Sequence, residues 1–211
     1  MRIGTWNMEG KWSPDHLTLL RDQDCEVWLL TEVHVEASIP GMTAHRTAGL
    51  MGPRKNWAAI FSVLDATAER DPHPATAMVH IDGSRILSSV LPWRSCGSSW
   101  EGSSLAEKFG RTLTVLGEHI DDTTIWGGDW NQGLEGAEYV GSLDGRKQVV
   151  ELVRKKRLSV PTGTLGSASK GQRSIDHIAV PIDWDVNAAY RVAAYSHGLS
   201  DHDAYVISVD R

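Results

Sequence analysis

Two cysteines, Cys25 and Cys96, are all the chain has in 211 residues, and their surroundings differ. Such scarcity points to free thiols in a reducing compartment more than to a disulfide framework, so a cytoplasmic protein is expected. Long apolar runs are missing as well. None approaches the ~20 residues that a membrane helix needs, and the first residues lack the basic and apolar regions of a signal peptide. Stable membrane association is therefore not expected. No GxGxxG, Walker lysine, CxxC or HExxH occurs, which removes dinucleotide, P-loop and zinc readings. Nor is positive charge in excess. A formal net charge of −6 argues against coating nucleic acid by bulk electrostatics. It leaves room for an enzyme that meets phosphate through a local site and a cation.

What is present fits one folded unit. With 41% hydrophobic and 23% charged residues, the chain can bury one substantial core and is not expected to be disordered. No repeat, low-complexity tract or linker divides it, so a single domain over 1–211 is expected. Arg2 to Asn7 reads as a strand, and Ser13-Pro14 opens a helix with Leu17, Leu19 and Leu20 on its apolar side. Glu26 to Val33 is a continuous apolar run, as in a buried strand. The stretch holding Pro40-Gly41 and Gly52-Pro53 reads as less ordered, and strand character resumes from Trp57 to Leu64.

Further along, Ala77 to Ile81 and Arg85 to Leu91 flank Asp82-Gly83, a hairpin signal. Leu105 to His119 and Arg146 to Arg157 have helical spacing. The second should turn Val149, Val150, Leu152 and Val153 to the core. Thr123 to Trp126, Ser174 to Val180, Ala188 to Tyr195 and Ala204 to Val209 read as strands. Ser95 to Ser104 and Gly163 to Gln172, rich in Gly and Ser, read as loops. Helices interleaved with strands and hairpins predict a mixed α/β domain.

Short polar words stand at the ends of these strands: Asn7-Met8-Glu9, Glu32, Gly128-Asp129-Trp130-Asn131, Asp176-His177 and Ser200-Asp201-His202. A carboxylate such as Glu32, following four apolar residues, is costly to bury without a cation or donor. Asn7 and Glu9 face the same way on an extended backbone, as do Asp129 and Asn131. The paired glycines before Asp129 let backbone approach a ligand closely. Asp-His neighbours suit proton transfer or stabilisation of developing negative charge. His16, His45, His73 and His119 have no such pattern and are expected at the surface.

In this order the words resemble the endonuclease/exonuclease/phosphatase superfamily over essentially the whole chain, from Arg2 to Val209. The most specific parts are Gly128-Asp129-Trp130-Asn131 and Ser200-Asp201-His202. The resemblance implies a DNase I-like fold, two packed mixed β-sheets flanked by helices in a four-layer sandwich. It also implies hydrolysis of a phosphoester without a covalent intermediate. By the same resemblance Glu32 is the principal metal ligand, with Asn7, Glu9 and Asp201 completing or orienting the site. Asp129 is the base, Asn131 contacts the scissile phosphate, His202 stabilises the transferring group and Asp176 fixes the His202 tautomer. His177 is expected to be structural. Oxygen ligands suit Mg²⁺, or Mn²⁺ in its place.

One position departs from the family. Where a Tyr or His usually stands two residues before a proline and touches the phosphate, this chain has Val90-Leu91-Pro92. Arg94 is the candidate replacement, since a guanidinium pairs bidentately with phosphate. Trp93, Trp100 and Trp130 are expected near the mouth of the site, where rings could stack on bases. A nuclease or phosphodiesterase is the favoured activity. The alternatives are a phosphatase or phosphodiesterase for a phosphoinositide or other small phosphoester, and a non-catalytic binding module. The expected partner is a phosphoester substrate, with nucleic acid as one class; oligomeric state is not legible.

Overall fold

In the computed structural model, residues 1–97, 99–167 and 171–210 are described. The two loops expected at Ser95 to Ser104 and Gly163 to Gln172 therefore include Ser98 and residues 168–170, which lie outside the described residues. In chain order the strands begin with β1 (Arg2–Asn7), β2 (Val27–His34), β3 (Thr43–Arg46), β4 (Leu50–Gly52) and β5 (Lys55–Ser62). Next come β6 (Thr67–Ala68), β7 (Thr76–Ile81), β8 (Ser84–Ser89), β9 (Ile125–Asp129) and β10 (Leu158–Ser159). The last are β11 (Asp176–Pro181), β12 (Asp185–Val192) and β13 (Ala204–Asp210). The helices are α1 (Pro14–Asp22), α2 (Leu105–Gly117) and α3 (Leu143–Lys155).

Two mixed sheets result. One runs β12-β13-β1-β2-β5-β3, with β4 also on β5, and the other runs β10-β11-β9-β8-β7-β6. Period-2 alternation explains why both faces of the central strands are buried. On β2, Val27 and Leu29 face the second sheet, in a layer with Ile60, Val79, Ile86, Ile178 and Ile207. Trp28 and Leu30 face the other way, with Leu20 of α1. On the far side Phe109, Leu113, Leu116 and Val149 of α2 and α3 cover Leu87, Trp126 and Ala179. Three cores in series make four layers, helix, sheet, sheet, helix. Each fully buried large side chain contributes roughly 1.5–3 kcal/mol.

Helix starts follow their sequence signals. Pro14 takes the first turn of α1, Ser104 accepts from Glu107 N at 3.2 Å, and Ser142 accepts from Gly145 N at 3.0 Å. The Asp82-Gly83 turn has positive φ at both residues, 47° and 82°, as a two-residue hairpin requires.

Register brings the polar words to one end of the sandwich. Parallel pairing sets Asn7 beside Thr31, so β1 and β2 deliver Asn7 and Glu32 side by side. Antiparallel β9 and β11 place Asp129 directly opposite Asp176. β13 runs antiparallel to β1 with Thr5 opposite Tyr205, which returns residues 200–203 to Asn7. Gly128, with φ 120°, makes this possible: a Cβ there would sit 2.2 Å from the Ser89 carbonyl oxygen.

Several expectations need correction. The stretch around Pro40 and Gly52 carries β3 and β4, both on β5. The strand after it starts at Lys55, two residues early. On α3, Val149 is buried and Leu152 and Val153 pack against the same core, but Val150 is exposed on the face turned to solvent. Trp130 is fully buried and stacked on Trp126 with centroids 4.1 Å apart, so it lies in the core and not at a mouth. Trp100 is buried too, edge-on to Trp57 and Trp93, while Trp93 is half-buried. His16 is buried, and His45 is held by Asp71 at 2.8 Å, so neither is a free surface imidazole.

Candidate active site

Asp129, Asp176 and His202 form the buried half of the site. His202 Nδ1 donates to Asp176 Oδ2 at 2.7 Å. That bond fixes the ring and leaves Nε2 turned the other way, 3.9 Å from Asp201 Oδ1. Asp129 accepts from Asn131 N at 2.9 Å through one oxygen and from Asn7 Nδ2 at 2.9 Å through the other. Burial, together with the Asp176 charge, pushes the Asp129 carboxyl up to about 7. Burial works to lower His202, but the Asp176 and Asp129 carboxylates prevail and hold it well above its ordinary value. Burial likewise raises Asp176, against the pull of His202. Near neutral pH the set thus offers a carboxyl poised to accept a proton beside an imidazolium.

The second half is more open. Asn7 Nδ2 also donates to Glu32 Oε1 at 3.1 Å, so one amide bridges Glu32 and Asp129. Asn7 Oδ1 accepts from Glu9 N at 2.9 Å, and Glu9 Oε2 accepts from Asp201 N at 3.0 Å. Glu32 and Glu9 both have positive φ, 49° and 53°, a conformation non-glycine residues enter only where their surroundings hold them. Lys55 Nζ binds Glu32 Oε2, and Lys11 Nζ lies 2.7 Å from Glu9 Oε2. The Lys11 bond is the main reason Glu9 is held below its ordinary value. Ser200 Oγ donates to the Asn7 carbonyl at 2.6 Å and accepts from His202 N at 3.1 Å, tying the last polar word to the first.

For a divalent cation the donor types at Glu32, Glu9, Asp201 and Asn7 fit, although the three carboxylates do not converge on one point and Asn7 turns Nδ2 to Glu32 and Oδ1 to Glu9 N. Asp129, Asp176 and His202 also offer ligand atoms within 4.8 Å of one another, the one such His/Cys/Asp/Glu group among the described residues. There, however, the His202–Asp176 bond already uses one atom of each.

At the level of sequence, no family model and no curated protein matches the chain. Solved structures do. An AP endonuclease from Archaeoglobus fulgidus superposes with a TM-score of 0.74 at 15% identity, with 100% of each chain covered. The AP endonuclease LMAP from Leishmania major gives 0.76 at 12% identity, covering 98% of this chain and 86% of the other. The 3′ phosphatase NExo from Neisseria, bound to product DNA hairpin, gives 0.74 at 15% identity, with 100% of each covered. The chain shares the DNase I-like fold of these structures.

Within this DNase I-like frame, all eight residues expected in the catalytic and metal sets meet at one end of the sandwich. Asn131 is buried, and its Nδ2 donates to the Leu91 carbonyl at 3.0 Å. Val90 is buried among Trp57, Ala75, Cys96 and Trp100, so it offers no polar group to a ligand. Arg94 is exposed and its Nε donates to the Gly141 carbonyl at 3.2 Å, while its terminal nitrogens have no hydrogen-bond partner among the described residues. His177 is fully buried and bonded through Nε2 to the Gln132 carbonyl at 2.9 Å, a packing role. Sequence reasoning missed Lys55, whose contact with Glu32 has no local signal because 22 residues intervene. It also missed Ser200 as a tie, although Ser200-Asp201-His202 names the word it serves.

Proposed function

We propose that this protein is a metal-dependent phosphoesterase that hydrolyses a phosphodiester in nucleic acid, with Mg²⁺ as cofactor and Mn²⁺ as a substitute. The observation that carries the reading is the Asn7 bridge. It joins a base-competent Asp129, beside the Asp176–His202 pair, to the oxygen-rich edge at Glu32. Phosphoester hydrolysis needs both at once: a group to take the proton of water and positive charge for the phosphate.

In the reaction Asp129 accepts the proton of the attacking water, its carboxyl held by Asn131 N and Asn7 Nδ2. Asn131, with its second amide hydrogen, and His202, through Nε2, face the phosphoryl oxygens as charge builds. Asp176 keeps His202 in its cationic, correctly turned form. A divalent cation at Glu32, with Glu9, Asn7 and Asp201 around it, would supply Lewis-acid neutralisation of the phosphate. Arg94, on the exposed rim, offers its two terminal nitrogens to a neighbouring phosphate.

The named similar structures support nucleic acid as the substrate class: two are AP endonucleases and one holds a DNA product. A small-phosphoester phosphatase shares the same chemistry, and fold alone does not separate the two. A non-catalytic binding module would have no need of a buried carboxyl near pH 7 beside an imidazolium. Purified protein with Mg²⁺ should be assayed against plasmid, single-stranded DNA, RNA, and small phosphodiesters and phosphomonoesters. Diester cleavage that needs Mg²⁺ and disappears in Glu32→Gln is the expected result. Turnover of phosphomonoesters alone would favour the small-phosphoester reading, and no turnover on any substrate would favour the binding module.

A further inference from the structure

Lys55 is the residue whose placement the catalytic reading does not use. It opens β5, opposite His34 of β2, and its side chain is only 24% exposed. The alkyl stem runs over the turn that follows β1. At Gly10 a Cβ would lie 2.6 Å from Lys55 Cδ, so the turn is open because that residue has no side chain. Gly10 has φ 71° and its N–H donates to the Glu32 carbonyl at 2.7 Å, which fixes the turn against β2. Through this gap the ammonium reaches Glu32 Oε2, in a pair whose carboxylate is 18% exposed. The remaining oxygen, Oε1, belongs to Asn7. Lys11, by contrast, meets Glu9 from solvent, 45% exposed.

We propose that Lys55 is a tethered cation that competes with the divalent metal for Glu32 Oε2 and so sets the metal affinity of the site. This rests on the assignment of Glu32 as metal ligand. The physical argument is direct. A divalent ion must take an oxygen of Glu32, and one oxygen is committed to the amide that also orients Asp129. Entry at Oε2 displaces the ammonium and entry at Oε1 leaves it alongside, and either way it remains nearby as a like charge. Both effects weaken metal binding in the free protein, and a half-buried pair is screened little by salt. An incoming phosphate relieves both, because the displaced ammonium gains an anion to meet. Metal and substrate binding are then positively coupled.

The test is calorimetric titration of Mg²⁺ and of Mn²⁺ into the wild-type protein, Lys55→Met, Lys55→Gln and Glu32→Gln, without substrate. Met keeps the stem and removes the charge; Gln is a second neutral replacement should Met disturb packing. Both neutral variants should bind metal about tenfold more tightly, the effect of removing one nearby like charge. Inorganic phosphate should tighten Mg²⁺ binding in the wild type and have a smaller effect in Lys55→Met. A merely structural lysine would leave affinity unchanged or weaker in both variants, and that result overturns the proposal even if Glu32→Gln abolishes binding. If Glu32→Gln binds metal like the wild type, the metal is held elsewhere, and the ligand assignment falls together with the role of Lys55.

Discussion

Both oxygens of Asp129 accept from N–H donors, so Asp129→Asn cannot be silent. One oxygen becomes an NH₂ that must face either Asn131 N or Asn7 Nδ2, donor against donor. Turnover should fall by roughly 10²-fold or more, since the base is lost while shape is kept. His202→Ala should cost a similar factor, and Asp176→Asn somewhat less, because the imidazole stays but loses its orienting charge. Single-turnover rates on a phosphodiester check all three, and wild-type rates in the first two would refute the mechanism. Arg94→Ala should raise KM and flatten the salt dependence with kcat held, as for a rim cation. A fall in kcat would instead place Arg94 on the reacting phosphate. The residues that meet at the candidate site were legible because each stands in a short polar word after an apolar strand. Their partners were not: Lys55 and Ser200 make contacts that depend on the packing of distant segments.

At the scale of elements, α1 does more than cover the first sheet. Its His16 donates from Nε2 to the Leu199 carbonyl at 2.8 Å, which makes Nδ1 the acceptor for Ser13 Oγ at 2.7 Å. The ring stacks on Trp6, centroids 5.3 Å apart, and Trp6 Nε1 donates to the His202 carbonyl at 3.2 Å. Helix, strand and the loop that carries His202 are thus braced together. His16→Ala should lower turnover about tenfold by loosening that loop. Metal affinity at Glu32 should be unchanged, with kinetics and calorimetry as the paired measurements. Ser13 could be read as a cap from its position before Pro14, yet its hydroxyl serves His16 and makes no capping bond. Long apolar elements were placed to within a few residues. β3, β4, β6 and β10 were missed because two to four residues, many of them exposed, carry no measurable alternation.

For the whole molecule, His177 predicts how stability changes with acidity. Burial depresses it from 6.5 to about 4, partly offset by its bond to Gln132 O, and Nδ1 has no hydrogen-bond partner among the described residues. A depressed imidazole binds its proton in the unfolded chain first. Its contribution is thus intact above pH 6.5 and is lost as pH falls toward 4, about 3 kcal/mol at ~1.4 kcal/mol per pH unit. His177→Gln should be less stable at pH 7 but should lose less between pH 7 and 4.5, measured by urea denaturation at both. The four-layer architecture was legible through the order of polar words, whereas the placing of tryptophans was not: composition cannot tell a ring stacked in the core from one at a rim. One feature of the topology reaches beyond the finished structure. β13, last in chain order, lies between β12 and β1 and brings Asp201 and His202 into place. During synthesis, then, β1 has no partner on that flank until β13 has left the ribosome. A chain released before β13 would carry an open strand edge at β1 and lack Asp201 and His202, which makes it an association-prone fragment.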